Sequence, residues 1–281
     1  MASKVDVSTL GCGIGLHREH YEDILRDRPP VRWFELISEN FMVEGGRPRQ
    51  VLETVRENYP VALHGVSLSL GSDEPLVPSY LDRLAALVDA VDPWVVSDHL
   101  CWTRLSAHNS HDLLPLPFTE EAVDVTAAKI RQVQDRLGRQ MLVENVSTYL
   151  RFAGSTLTEW EFVAAVAERA DCGLLLDINN VYINSRNHGF DPEHYFAGLP
   201  VERVRQYHVA GHEDHGDTIL DTHDQPVTED VWDLLRMAVR RFGPRPTILE
   251  RDDHVPPLAE VMAEADVAQG ILEECREAKA S

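Results

Sequence analysis

MLVEN (residues 141–145) and LLLDINN (residues 174–180) are runs of apolar residues broken by a carboxylate, Glu144 and Asp177. A fully buried strand seldom closes on an acid or an imidazole, because stripping water from such a group is costly unless something compensates. The pattern recurs along the chain. His64 stands in VALHG, His99 in VVSDHL, His208 in YHVAGH, Asp221 and His223 in ILDTHD, and Glu250 in TILERD. Eight such residues near the ends of successive apolar segments suggest strands that converge on one polar centre.

Working outward from these segments, eight strands are expected at about 9–16, 31–37, 60–70, 93–99, 140–146, 172–178, 204–210 and 246–251. Amphipathic stretches lie between them. Ser79–Ala90 carries Leu81, Leu84, Ala85, Leu87 and Val88 on one face, and Thr119–Leu137 opens with a capping threonine followed by two acids. Trp160–Ala170, Asp230–Phe242 and Leu258–Ala278 read as further helices. Continuous apolar strands alternating with helices predict a parallel α/β fold, a (β/α)8 TIM barrel formed as one domain over residues 1–281. A doubly wound sheet is the alternative, but GCGIGLHREH has glycines at 11, 13 and 15, the wrong spacing for a dinucleotide-binding turn. The polar residues come late in or after their apolar runs, and the carboxyl ends of barrel strands are where active sites are built. The stretches 100–118 and 179–191 read as long loops that wall the site.

With 43% apolar and 26% charged residues, the 281-residue chain has the composition of a globular protein. No apolar run reaches the roughly 18 residues of a membrane span. MASKVDVSTLGCG lacks the apolar core of a secretory signal, so a cytoplasmic location without membrane attachment is expected. Cys12, Cys101, Cys172 and Cys275 are widely spaced, which predicts reduced thiols and no thiolate metal site. Twenty-six basic against 47 acidic residues leave a net charge of −21, which repels phosphates and argues against a nucleic-acid partner.

Four histidines with four carboxylates exceed what one zinc or iron ion takes. They suit two or three ions bridged by carboxylates, with Glu144 and Glu250 as the bridges. A nitrogen and oxygen set of this kind accommodates iron, zinc or manganese. Taken singly, His64 or His99 could be a hydrogen-bonded interior histidine. Glu144 or Glu250 could pair with a buried arginine, and Asp221 with His223 could form a polar loop. Taken together, four acids at one barrel mouth require cations. Asp98 and Asn145 are candidates to orient the ligands, and His212 to touch ligand or substrate. The remaining histidines, among them His17, His20, His108, His111 and His188, read mostly as surface or loop residues.

The motifs GIGLHREHYEDIL, VRWFELISENFMVEGG, LHGVSLSLGS, SDHLCW, VENVSTY, LLLDINNVYINSRNHGFD, YHVAGH and TILERD resemble those of the multinuclear non-haem iron-dependent oxidative enzymes. This bacterial family was long catalogued without a function, and the resemblance runs from about residue 9 to 270. It implies a xylose-isomerase-like barrel holding two or three iron ions of mixed ferrous and ferric state, with dioxygen as co-substrate. The implied substrate is a ribosomally synthesised precursor peptide, often modified at cysteine, and the implied partner is a small protein that recognises the peptide leader. The iron ligands implied are His64, His99, Glu144, Asp177, His208, Asp221, His223 and Glu250. Asn180 falls where related metal barrels place a further ligand, so an amide there implies a labile third position.

The same ligand order also resembles trinuclear zinc phosphodiesterases of the endonuclease IV type, which generate hydroxide at the metals. The charge of −21, the lack of a basic stripe with interleaved aromatics, and Asn180 in place of a histidine count against that function. A sugar isomerase would want a lysine near the metal, and the strand ends carry none. A non-catalytic binding protein leaves an open, acid-rich metal site unexplained.

Overall fold

Eight parallel strands close into a barrel, β1 (Cys12–Gly15), β2 (Phe34–Ile37), β3 (Val61–Gly65), β4 (Val96–His99), β5 (Leu142–Glu144), β6 (Gly173–Asp177), β7 (Val204–Val209) and β8 (Thr247–Leu249). Each pairs with its sequence neighbours, and β8 pairs with β1 in the register Cys12↔Thr247 and Ile14↔Leu249. This computed structural model describes residues 5–105 and 108–280; the side chains of 108, 109, 111 and 277–280 lie outside the description.

Alternation along the strands separates two cores. Phe34, Leu36, Leu63, Val96, Val143, Leu174, Leu176, Tyr207 and Leu249 face the helices and join the large outer cluster. Leu10, Trp33, Ala62, Val95, Leu142, Leu175 and Ile248 form a second cluster of their own, the plug of the barrel interior. Side chains two positions apart share a face. His64 therefore follows Ala62 into the interior, Glu144 follows Leu142, Asp177 follows Leu175, and Glu250 follows Ile248. By the same step Ser97 and His99 follow Val95. Register completes the arrangement, setting His99 beside Glu144 and Asp177 beside His208. The polar centre is thus the top interior layer, stacked on an apolar plug.

Trp33 is the largest piece of that plug. Its ring fills the space a side chain on Gly13 would need, since a Cβ there would lie 2.6 Å from Trp33 Cδ2. Gly13→Ala is expected to cost about 1–3 kcal/mol by overpacking, seen as a lower urea midpoint with an unchanged denaturant slope.

The helices expected at the sequence level are present as Pro78–Val91, Glu120–Leu137, Glu159–Ala170, Glu229–Phe242 and Leu258–Ala280. Thr119 caps the second of these by accepting from Ala122 N, and Thr158 with Glu161 forms a capping box on the third. Arg47–Asn58 was not foreseen, because its apolar positions are few.

Both expected loops differ. Strand Trp102–Leu105 pairs antiparallel with His108–Leu114, and Ile178–His188 is a helix. Asparagine and β-branched residues hide that helix in the sequence. Its ends create it, with Asp177 capping the first turn and Gly189 closing it at φ 70°. No helix among the described residues is long and apolar enough to cross a membrane.

Candidate metal centre

Candidate ligand atoms gather in three groups, each with its atoms within 4.8 Å of one another. They are His64, His99 and Glu144; then Glu144, Asp177, His208 and Glu250; then His223, Glu250 and Asp252. Donors around one first-row ion sit about 2.0–2.3 Å from it, and hence up to about 4.5 Å from each other. Glu144 belongs to the first two groups and Glu250 to the last two, so two carboxylates link three positions.

Hydrogen bonds behind the ligands decide which atoms face inward. Ser97 Oγ donates to Leu63 O (3.4 Å) and so accepts from His64 Nδ1 at 2.7 Å. His99 Nδ1 donates to Gly65 O at 3.0 Å. Both rings are left with lone pairs on Nε2, and these nitrogens lie 3.3 Å apart. They are also 3.2 and 3.5 Å from Glu144 Oε2. Two lone pairs and a carboxylate oxygen cannot hydrogen-bond to one another, whereas a cation satisfies all three.

In the central group, His208 Nδ1 lies 2.9 Å from Glu250 Oε1 and 3.7 Å from Glu144 Oε1. Asp177 spends Oδ1 on Asn180 N at 2.5 Å, capping the helix and leaving Oδ2 free. Asn145 fixes that corner, its amide accepting from Asp177 N (2.9 Å) and donating to Asp177 O (3.0 Å). Asn180 donates to Asn145 O at 3.0 Å, and its Oδ1 has no partner.

The third group rests on the loop after β7. His223 Nδ1 donates to Asp252 Oδ2 at 2.9 Å and Nε2 faces Asp221 Oδ1 at 2.7 Å, at a backbone φ of 51° that side-chain-bearing residues seldom adopt. Asn179 donates to Asp221 Oδ1 at 2.9 Å and accepts from His212 Nδ1 at 2.8 Å, with Tyr182 stacked on the His212 ring. Gly211 allows this loop to approach, because a Cβ there would meet Gln225 O at 2.0 Å. Gly211→Ala is expected to displace His223 and remove one metal equivalent per chain, measured by plasma mass spectrometry, while the barrel still forms.

The residues fit a cluster of cations. Glu144 Oε2, Asp177 Oδ2, Asn180 Oδ1, His208 Nδ1, His223 Nε2 and Glu250 Oε2 are buried atoms without a hydrogen-bond partner. Such atoms are costly unless a ligand satisfies them. Among the described residues no lysine or arginine pairs with Glu35, Glu144, Asp177, Asp221, Glu250 or Asp252 (Arg251, next to Glu250, pairs with Glu264 instead). Without cations, protons must balance this charge. Burial pushes Asp177 well above the usual carboxylate range, with Glu250 and Asp221 adding to it. Burial likewise raises Glu144, against the pull of His208. Burial alone would lower His208, but Glu250, Glu35 and Glu144 overcome it and raise the ring's affinity for a proton. Burial holds His99 down at about 4, and so neutral.

Thus His64, His99, Glu144, Asp177, His208, His223 and Glu250 come together, with Asp221 against His223 and Asn180 beside Asp177. Asp98 differs from its expected role. It points outward, accepting from the backbone of His99 (2.7 Å) and Leu68 (3.2 Å), because neighbours in a strand face opposite sides. Ser97 and the Gly65 carbonyl orient the imidazoles instead. His20 is buried and bonds to Pro256 O at 2.8 Å, so it is no surface residue, and the side chains of His108 and His111 lie outside the described residues. Two acids escaped the sequence reading, Asp252 and Glu35. Asp252 could have been found as the alternate-position partner of Glu250. Together with Glu35, Glu250 and His17 it lines an open cavity of about 380 Å³ that reaches the centre.

The model of the family described as RiPP precursor modification enzyme MbnB/TglH/ChrH matches residues 11–273. A UPF0276 protein of Rhizorhabdus wittichii is 54% identical over 259 residues, covering 92% of this chain and 93% of its own. One from Caulobacter vibrioides is 53% identical over 260 residues, covering 92% and 93%. Among solved structures, a D-tagatose 3-epimerase-like protein superposes with a TM-score of 0.62 at 13% identity, covering 96% of this chain and 100% of that one. Endonuclease IV from Thermus thermophilus gives 0.61 at 16% identity, covering 94% and 99%. At these identities the structural likeness speaks for the barrel alone.

Proposed function

The chain belongs to the family of RiPP precursor modification enzymes MbnB/TglH/ChrH, and from that membership we propose that it holds two or three iron ions and uses dioxygen to oxidise a precursor peptide at cysteine. The proposed ligands are His64, His99, Glu144, Asp177, His208, Asp221, His223 and Glu250, with Asp252 added and Asn180 as a weaker donor. A small partner protein that recognises the peptide leader completes the proposal.

One observation carries the reading, the set of partnerless buried donor atoms shared among three positions through Glu144 and Glu250. Bound iron supplies Lewis acidity and one-electron chemistry with oxygen, which no side chain of the set has. The chain's residues do the rest. Ser97, Gly65 and Asn145 fix the ligands, and the apolar plug around Trp33 closes the centre from below. The cavity beside Glu250 and Asp252 admits the peptide residue and sets how it approaches.

Iron-loaded protein, incubated with any short cysteine-containing peptide that its neighbouring genes prove to encode, tests the proposal. Oxygen uptake in step with a mass change at cysteine is expected. A protein that retains only zinc and consumes no oxygen would overturn it.

A further inference from the structure

We infer that Glu35 is a positioning residue that makes His208 a ligand through Nδ1 and gives its ring anionic character. His208 Nε2 lies 2.8 Å from Glu35 Oε1. The Gln206 amide nitrogen lies 2.6 Å from Glu35 Oε2 and 3.1 Å from the same His208 Nε2. The amide donates to Oε2, and a lone pair on His208 Nε2 would face the carboxylate oxygen Oε1 at 2.8 Å, so the imidazole N–H donates to Oε1. Reversing the Gln206 amide would place its oxygen against Glu35 Oε2. When His208 binds a metal its proton therefore stays on Nε2, and Nδ1, on the side of Glu250 and Glu144, is the donor atom.

The contrast with the neighbouring rings is chemical. His64 leans on a hydroxyl and His99 on a backbone carbonyl, and both present Nε2. His208 alone leans on a buried carboxylate through its Nε2, from β2 on the far side of the barrel interior. A carboxylate behind an imidazole raises its basicity and strengthens its bond to a metal. Glu35 thereby makes the central position, between the two bridging glutamates, the tightest of the three. For iron, which rests on the proposed function, the stronger donor favours the ferric state and lowers the reduction potential.

Zinc-loaded protein with 15N-labelled histidine tests the assignment by NMR without any turnover. His208 is expected to show a metal-bound Nδ1 and a protonated Nε2, the reverse of His99. Zinc on His208 Nε2 would overturn the inference while leaving the oxidative reading standing. In Glu35→Gln, competition with a zinc chelator should show the tightest position weakened about 10–100-fold at unchanged circular dichroism. The iron potential should rise. Unchanged affinity in a folded variant would also overturn the inference. If that variant fails to fold, the NMR assignment on the native chain decides alone.

Discussion

Glu144→Gln is expected to abolish peptide modification and to strip at least two metal positions from a barrel that still folds. One oxygen of Glu144 faces His64 and His99, and the other faces His208. Glutamine keeps the shape, removes the charge and turns an N–H₂ group toward lone pairs or toward the metals. Losing an outer hydrogen-bond partner of a metal ligand costs roughly 10–100-fold in affinity or activity, and losing a shared ligand must cost more. Metal analysis, activity and circular dichroism on one preparation check this. Full metal content in the variant would mean that Glu144 is no bridge.

Chelation has the second large effect, on stability and its dependence on pH. Metal at 100 times its dissociation constant stabilises a folded chain by about 2.7 kcal/mol per position. At about 2–4 °C per kcal/mol for a chain approaching this size, stripping even one position lowers the melting temperature by about 5–10 °C. The pH dependence follows from the shifted groups. His208 and His223 bind protons more tightly folded than unfolded, so their contribution is present below about 6.5 and lost as pH rises through the folded values. Glu144 and Asp177 are raised as well, so their ionisation in the fold also costs stability as pH rises. His64 and His99 act oppositely, but only as pH falls below about 6.5, where the unfolded rings take protons that the folded rings refuse. Above pH 7 the chelated protein should therefore lose stability with rising pH. The metal-loaded protein should hold it, because cations replace those protons and bind better once the ligands are ionised. Parallel melting curves from pH 7 to 9, with and without chelator, test the point; identical slopes would contradict it.

The barrel was legible because period and direction were. Each strand is an apolar run, and LLLDINN shows where its strand stops, since Asp177 ends β6 and caps the next helix with one carboxylate. The gathering of His64, His99, Glu144, Asp177 and His208 in the barrel interior was legible for the same reason. What escaped notice was polar chemistry inside an apolar run or past its end. Glu35 lies in mid-strand within FELI, and its meaning depends on Gln206 and His208 across the barrel, contacts no local pattern encodes. Asp252 sits among Arg251 and Asp253 and looks like a solvated turn, yet His223 reaches it from another loop. Asp98 misled in the opposite way. Adjacency to His99 suggested partnership, whereas strand alternation sends it to the other face.

Mössbauer spectroscopy of the anaerobically purified, 57Fe-loaded chain bears most directly on the claim that shared carboxylates hold several irons together. Glu144 and Glu250 as bridges predict exchange-coupled iron, with two or three ions per chain. A single uncoupled iron would contradict the account.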